Sequence, residues 1–389
     1  MRRPLTFSRY AGVGSHRYPI GFSGDTVITW ASLDFQPYFT ATASNVGYGW
    51  WSHDVGGHFF GYKDDELAIR WTQFGVFAPI TRLHSSDGPF NTREPWRYGE
   101  RARRVMTSFL RLRHRLVPYL HTMNHHAATD GVPLVRPMYH LAPEDERAYG
   151  VPNQFAFGSE LLVAPITTPR DDVTLRGSVR TWLPPGTWID IFTSTVYEGD
   201  REIELHRELG SIPALLRAGG ILPLAAEDDL DATRNPERLE VVVAPGADGE
   251  LTLIEDDDTD VARTTLSWDQ ASGTLTIGAA DDPQGMLPAE REWTVTVLGA
   301  EHEPLAASGP TGEPLRVEAG ADPRPRTPHR EDALFAVLDA AQYSNGAKQT
   351  AWRTLGSDLS PAAKLAELHA QELPRELIGA LSELLTAEG

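Results

Sequence analysis

The 389-residue sequence contains no cysteine. That absence excludes a disulfide framework, zinc–thiolate sites and a cysteine nucleophile. Positive charge is scarce: 35 Lys and Arg stand against 54 Asp and Glu, a formal net charge of −19. A chain this acidic is ill suited to gripping nucleic-acid phosphates or an anionic membrane surface. No run of ~18 apolar residues occurs, so no membrane-spanning helix is expected. The opening Met1–Tyr10 lacks a signal-peptide core, because Arg9 ends its apolar run. A cytoplasmic location is therefore the expectation. There is no internal repeat.

What is present is ordinary globular chemistry, with 41% hydrophobic and 23% charged residues. Single cores stop growing near ~250–300 residues, so several domains are expected. Residues 1–141 alternate short apolar runs with helical patterns. Leu5–Phe7, Tyr48–Trp51, Phe77–Ile80 and Leu134–Met138 look like strands. Asp64 or Asp65 is placed to cap a helix running to Phe77. Val105, Phe109, Leu112, Leu116 and Leu120 recur at helical spacing, predicting a helix over about 96–128 with a kink at Pro118. Four strands alternating with helices imply parallel βα units. A complete (β/α)8 barrel takes ~250 residues, so this region suits half of one. Residues 142–225 lose the helical period and read as a small β-sandwich, and 226–325 as a second, distal β domain. Residues 308–330 have linker composition. Residues 331–389 return to helical patterning. The fold class is thus α/β plus all-β: a partial TIM barrel, two β-sandwich domains and a helical tail.

Polar residues that could do chemistry collect at the predicted strand ends of the first hundred residues. Arg9 follows the first strand. Asp25 sits in the loop Gly21-Phe22-Ser23-Gly24-Asp25. Asp54 follows the Trp50-Trp51 strand, ahead of Gly56-Gly57-His58, and Thr81-Arg82-Leu83-His84 follows Phe77–Ile80. In βα architectures, functional groups lie on the loops after strand C-termini. Arg9, Asp25, Asp54 and His84 would then converge on one face, amid Phe22, Trp30, Trp50 and Trp51. Carboxylates among aromatic rings suit a sugar, whose ring faces are apolar and whose hydroxyls need hydrogen bonds. Each motif also has a plainer use. Asp25 could cap the following helix, Asp54 brace a glycine turn, His84 sit in the core, and Trp50-Trp51 simply pack.

The conjunction of motifs resembles glycoside hydrolase family 31, the α-glucosidase and α-xylosidase family. Arg9-Tyr10-Ala11-Gly12 through Arg17-Tyr18 to Gly24-Asp25 is similar to its acid/base segment. His53-Asp54-Val55-Gly56-Gly57, Asp65-Glu66-Leu67 with Arg70-Trp71-Thr72-Gln73-Phe74-Gly75, and Arg82-Leu83-His84 follow in family order. Phe157-Gly158, Leu161–Pro165, Leu183–Trp188 and Arg217–Pro223 are similar to the proximal C-terminal sandwich, and Ile254–Asp258 to the distal domain. The resemblance implies a retaining α-glycosidase acting on terminal α-glucosides or related α-glycosides. It implies Asp25 as general acid/base, Arg9 and His84 as sugar-binding groups, and Asp54 as a carboxylate bracing the pocket. Phe22 stands where many relatives have Trp and His58 where many have Phe; both positions line the pocket. No cofactor and no metal are expected.

The family nucleophile lies in a Trp-x-Asp-Met/Leu-Asn-Glu segment that does not occur in this sequence. Retaining chemistry needs two carboxylates ~5–5.5 Å apart. The expectation is therefore the C-terminal portion of such an enzyme, with the nucleophile half-barrel supplied by another chain. The alternative is a non-catalytic remnant or carbohydrate-binding module. Two other clusters suggest ions only superficially. His121 and His125 lack a third ligand in the pattern, and Glu255–Asp260 lacks the spacing and central glycine of a calcium loop.

Overall fold

The computed structural model describes residues 6–9, 14, 17–18, 20–227 and 234–387. Its first sheet is parallel: β1 (Phe7–Ser8), β2 (Ile20–Phe22) and β3 (Trp50–Ser52) pair in the order β1-β2-β3. Phe7 lies opposite Ile20, and Ile20 opposite Trp50. Single parallel bridges, Ser52 to Ile80 and Val55 to Leu83, continue the sheet to a fourth position. The strands approach closely at Gly21, where a Cβ would lie 2.5 Å from the Trp51 ring.

Helix α1 (Trp30–Ala43) crosses from β2 to β3, and α2 (Asp65–Val76) from β3 to Ile80. Both start on capped ends. Thr29 Oγ1 accepts from the Ser32 N–H, and Asp64 Oδ1 from the Leu67 N–H. The expected long helix is two helices, α3 (Glu100–Arg115) and α4 (Val117–Thr129). Pro118 lies in the first turn of α4, where its missing N–H costs nothing.

Two expected barrel strands are corrected, and one strand was missed. Phe77–Ile80 is not a strand, and only Ile80 bridges. The N–H groups of Phe77 and Ala78 close the end of α2, Pro79 has no N–H, and the Arg113 guanidinium takes the carbonyls of Val76, Ala78 and Pro79. The Leu134–Met138 segment gives β4 (Val135–Pro137), which leaves the barrel sheet and pairs antiparallel with β5 (Phe155–Phe157). The missed strand is β2, three residues with glycine at the centre, too short to show any period.

The sandwich continues with β6 (Leu161–Val163), β7 (Gly177–Leu183), β8 (Thr187–Asp190), β9 (Val196–Glu198), β10 (Arg201–Arg207) and β11 (Ala214–Arg217). They form a six-stranded sheet, β4-β5-β6-β11-β8-β9, and the pair β10-β7. Beyond it come β12 (Ile221–Ala225), β13 (Arg238–Val243), β14 (Gly249–Asp256), β15 (Val261–Asp269), β16 (Thr274–Ile277), β17 (Glu290–Val297), β18 (Leu305–Pro310) and β19 (Leu315–Glu318). These make two four-stranded sheets, β12-β13-β17-β18 and β14-β15-β16-β19. Ile221–Ala225 thus hydrogen-bonds into the distal sheet. Part of the supposed linker 308–330 is strand: β18 ends in it and β19 lies within it, both at sheet edges, with Val317 of β19 buried.

One apolar core joins the barrel portion to the sandwiches. Phe74 and Phe77 of the barrel meet Phe155 and Phe157 of the sandwich edge-on, at 6.2 and 5.4 Å. Buried Arg70 and Gln73 on α2 donate to the carbonyls of Arg207, Ser211 and Leu209. A separate core, including Leu334, Leu338, Leu355, Leu368, Leu377 and Leu381, holds α5 (Arg330–Ala340), α6 (Asn345–Leu355), α7 (Pro361–Ala370) and α8 (Arg375–Leu385) together.

Helix α8 is fastened to β10 by a buried charge. Glu383 accepts from the Tyr197 hydroxyl and Arg207 Nη1, each at 2.7 Å, and from the His206 backbone N–H at 2.6 Å. Arg207 also holds Asp190 at 2.7 Å. Burial pushes the Glu383 carboxyl up, but Arg207, His206 and Tyr197 outweigh it and hold the group at about 2, against 4.5 ordinarily. A carboxyl depressed in this way contributes its full stability above its unfolded value and loses it as pH falls towards the folded one. Glu383→Gln should lower stability at neutral pH by about 3 kcal/mol. Urea midpoints should show the native chain losing this increment between about pH 4.5 and 2, so that the two proteins converge there.

Candidate active site

The parallel register brings four strand ends to one rim. Arg9 follows β1, Asp25 follows β2, Asp54 follows β3, and Arg82 and His84 follow the bridge at Ile80. The loops are cross-tied: Ser23 N–H donates to Ser52 O, Val55 N–H to Arg82 O, and His58 N–H to Thr26 O. Between Asp54 and His58 the chain turns through Gly56 and Gly57, both at positive φ. At Gly57 a Cβ would press on the Ile28 backbone at 3.0 Å.

His58 is the hub of the constellation. Its Nδ1 lies 3.1 Å from Asp54 Oδ2, and its Nε2 lies 3.8 Å from Asp25 Oδ2. Its ring centre is 5.1 Å from that of His84. Arg9 Nη1 lies 3.8 Å from the same Asp25 oxygen. The geometry brings together Arg9, Asp25, Asp54 and His84, as expected, with His58 between them. Asp25 does not cap a helix, since Thr29 caps α1.

The two carboxylates stand in unlike surroundings. Asp25 keeps 31% of its side chain exposed, whereas Asp54 keeps none. Arg82 Nη2 donates to Asp54 Oδ1. Burial pushes the Asp54 carboxyl above the ordinary range, against the pull of Arg82, His84 and His58. The imidazole of His58 stands between the two acids, and Asp54 offers no oxygen to solvent. Asp54 is placed to brace, and Asp25 to meet a ligand.

Phe22 is buried rather than presented to solvent. Its ring stacks on Phe7 at 5.2 Å and carries the Arg82 guanidinium at 4.8 Å. Trp51 follows the plainer reading, packing edge-on against Phe39 and Tyr48. Trp30 Nε1 donates to Asp64, the cap of α2. Two residues were given no role from sequence. Arg82 is part of a motif, but nothing in either local pattern pairs it with Asp54. His53 is fully buried and stacked on Phe74 at 4.7 Å. Burial, then Arg82, push it down to about 3, so it stays neutral and outside any proton traffic.

Near the rim lies a cavity of about 610 Å³, lined by Ile28, Gly56, Tyr62, Phe90, Arg93 and Tyr98 among others; Asp25, His58 and His84 are not in its lining. Among the described residues, the donor atoms of Asp54, His58 and His84 form a group within 4.8 Å of one another. The helical histidines are engaged elsewhere: His121 lies 3.2 Å from Asp256, and His126 2.8 Å from Asp130. Glu255 is buried against Arg291 in a bidentate pair, and Asp257 accepts from the Thr259 and Asp260 N–H groups in a turn.

Comparison with known proteins places this rim. Residues 1–123 match the glycosyl hydrolases family 31 TIM-barrel domain, and residues 131–222 the glycosyl hydrolase family 31 C-terminal domain. The chain belongs to glycoside hydrolase family 31. It is 30% identical over 315 residues to an alpha-xylosidase of Saccharolobus solfataricus, covering 77% of this chain and 42% of that protein. It is 30% identical over 259 residues to alpha-glucosidase 2 of Bacillus thermoamyloliquefaciens, covering 66% and 32%. A solved family 31 dextranase of Flavobacterium johnsoniae, complexed with isomaltotriose, is similar at a TM-score of 0.69 and 26% identity over 78% of this chain and 39% of that one. The family 31 alpha-xylosidase of Xanthomonas citri gives 0.66 and 28% over 77% and 35%. The chain thus spans well under half the length of these relatives.

The environments of the two acids make opposite predictions. Asp54→Asn leaves Arg82 without its ionised partner and should cost about 1–3 kcal/mol. Asp25→Asn, at a part-exposed carboxylate, should stay within about 0.5 kcal/mol of the native protein. Chemical denaturation of both variants checks this, and equal losses would mean that the bracing role is misassigned.

Proposed function

We propose that this chain carries the acid/base side of a retaining α-glycosidase site, with Asp25 as the proton carrier. The observation that carries the reading is the placement of Asp25. It is a part-exposed carboxylate on a strand C-terminal rim, unused as a helix cap, faced by Arg9 and His58. The protonated carboxyl gives its proton to the glycosidic oxygen as the bond to the anomeric carbon breaks. As carboxylate it then takes a proton from the water that releases the sugar. Arg9 and His84 hold ring hydroxyls, which fixes the reacting bond against the acid. Asp54 braces the rim, and Phe22 and His58 shape it.

The substrate class in this reading is a terminal α-glucoside, α-xyloside or related α-glycoside. Support comes from relatives named alpha-xylosidase and alpha-glucosidase, and from a similar dextranase solved with isomaltotriose. The attacking carboxylate belongs to the half of the barrel that this sequence does not contain. Asp54 does not serve, because it has no exposed oxygen and is bound to Arg82.

General acid catalysis alone contributes only ~10²–10⁴-fold, so the purified chain should not measurably turn over aryl α-glucosides or α-xylosides. Coexpression with a polypeptide bearing the family's nucleophile half-barrel should restore turnover. Asp25→Ala should then abolish hydrolysis of poorly activated substrates, and azide should rescue it on aryl glycosides with good leaving groups. Absence of turnover in the pair, or turnover indifferent to Asp25→Ala, would sink the proposal.

A further inference from the structure

We propose that Asp54, His58 and His84 form a binding site for one divalent transition-metal ion of the zinc type. The ligands are Asp54 Oδ2, His58 Nδ1 and a ring nitrogen of His84. The inference starts from a pair of atoms that meet without bonding. His58 Nδ1 and Asp54 Oδ2 are 3.1 Å apart, yet both are buried and neither makes a hydrogen bond. Two donors that close, with no hydrogen bond between them, suit a shared third position. Ligands held ~2.0–2.2 Å from one ion stand about 3–3.5 Å apart when adjacent in its shell. His84 completes the set within 4.8 Å. That span exceeds the separation of adjacent ligands, and His84, which is exposed, is the residue whose ring would turn inward on binding.

The surroundings support the same site. Asp54 Oδ1 is taken by Arg82, which fixes the carboxylate and leaves Oδ2 over. With Nδ1 on a metal, His58 must carry its proton on Nε2, and Nε2 faces the Asp25 carboxylate at 3.8 Å. A ligating histidine whose far N–H looks at a carboxylate is the usual outer support of a metal site. Two imidazoles and one carboxylate suit zinc, cobalt or nickel, whereas calcium and magnesium prefer oxygen shells. Three protein ligands also leave an open coordination position.

The binding claim stands on this geometry and survives if the chain takes no part in glycoside cleavage. Its consequence rests on the glycosidase reading. An ion that holds His84 keeps its ring from the sugar hydroxyls. Zinc bound here would act as an inhibitor.

The test is a cobalt titration of the tag-free, chelator-treated chain. We expect one equivalent to bind saturably, with a visible d–d band that zinc abolishes and magnesium leaves alone. His58→Phe, which keeps an aromatic ring of similar shape, should weaken binding about tenfold or more, and so should His84→Ala. His84→Ala changes an exposed ring, so it remains informative if His58→Phe does not fold. His121→Ala should bind as the native chain does. A chain without saturable binding would overturn the proposal, as would binding untouched by either rim variant or lost with His121→Ala.

Discussion

Asp54 brings a carboxylate to a place that water does not reach, and Arg82 is the group that offsets the cost. Moving such a charge out of water costs several kcal/mol unless a partner and further bonds compensate. The guanidinium does so from the neighbouring strand position, while lying across the rings of Phe22 and Phe7. Four segments of chain are joined through one ion pair and two aromatic rings. The backbone offers less here, since the sheet reaches its fourth position through single bridges at Ser52 and Val55. Side chains take over the alignment that a longer ladder would have supplied.

The same economy marks the junction between the barrel portion and the sandwich. Arg70 sits in the middle of α2, fully buried, and donates to the carbonyls of Arg207, the last residue of β10, and of Ser211 in the β10–β11 connection. The Ser211 carbonyl lies in an irregular segment, and buried carbonyls need donors. Trp71 and Phe74 on the same helix fill the apolar part of the interface. The sequence stretch Arg70-Trp71-Thr72-Gln73-Phe74-Gly75 is therefore a docking element that places α2 and the rim in front of it.

Much of the rim was legible because loops after strands have short, distinctive vocabularies. Asp25 follows a Gly-x-x-Gly pattern and Asp54 precedes a glycine pair, and both landed where their strands end. Arg82 went without a role because a charge pair between two strand ends leaves no mark in either local pattern. The strand assignments failed where length was the only signal. Ile20–Phe22 is too brief to alternate, and Phe77–Ile80 is apolar because it seals a helix end. Val135–Pro137 looked like its predecessors but faces a different partner, and partner choice is a tertiary fact. In residues 308–330, proline and glycine marked the turns around two edge strands and not a free linker. His58 was noted as a departure from relatives; its place between two carboxylates became visible only once three loops were folded together.

Glu383 and Arg207 are 176 residues apart in sequence. At ~5–20 residues per second, a ribosome that has finished β10 needs about ten to thirty seconds more to deliver the acid that Arg207 and Tyr197 await. Until then Arg207 has Asp190, the Tyr197 hydroxyl and its neighbouring carbonyl as partners, and the outer face of β10 lies open. The sandwich is thus completed by a helix made long after its own strands. In the cell, the finished charge network records that translation has passed α8.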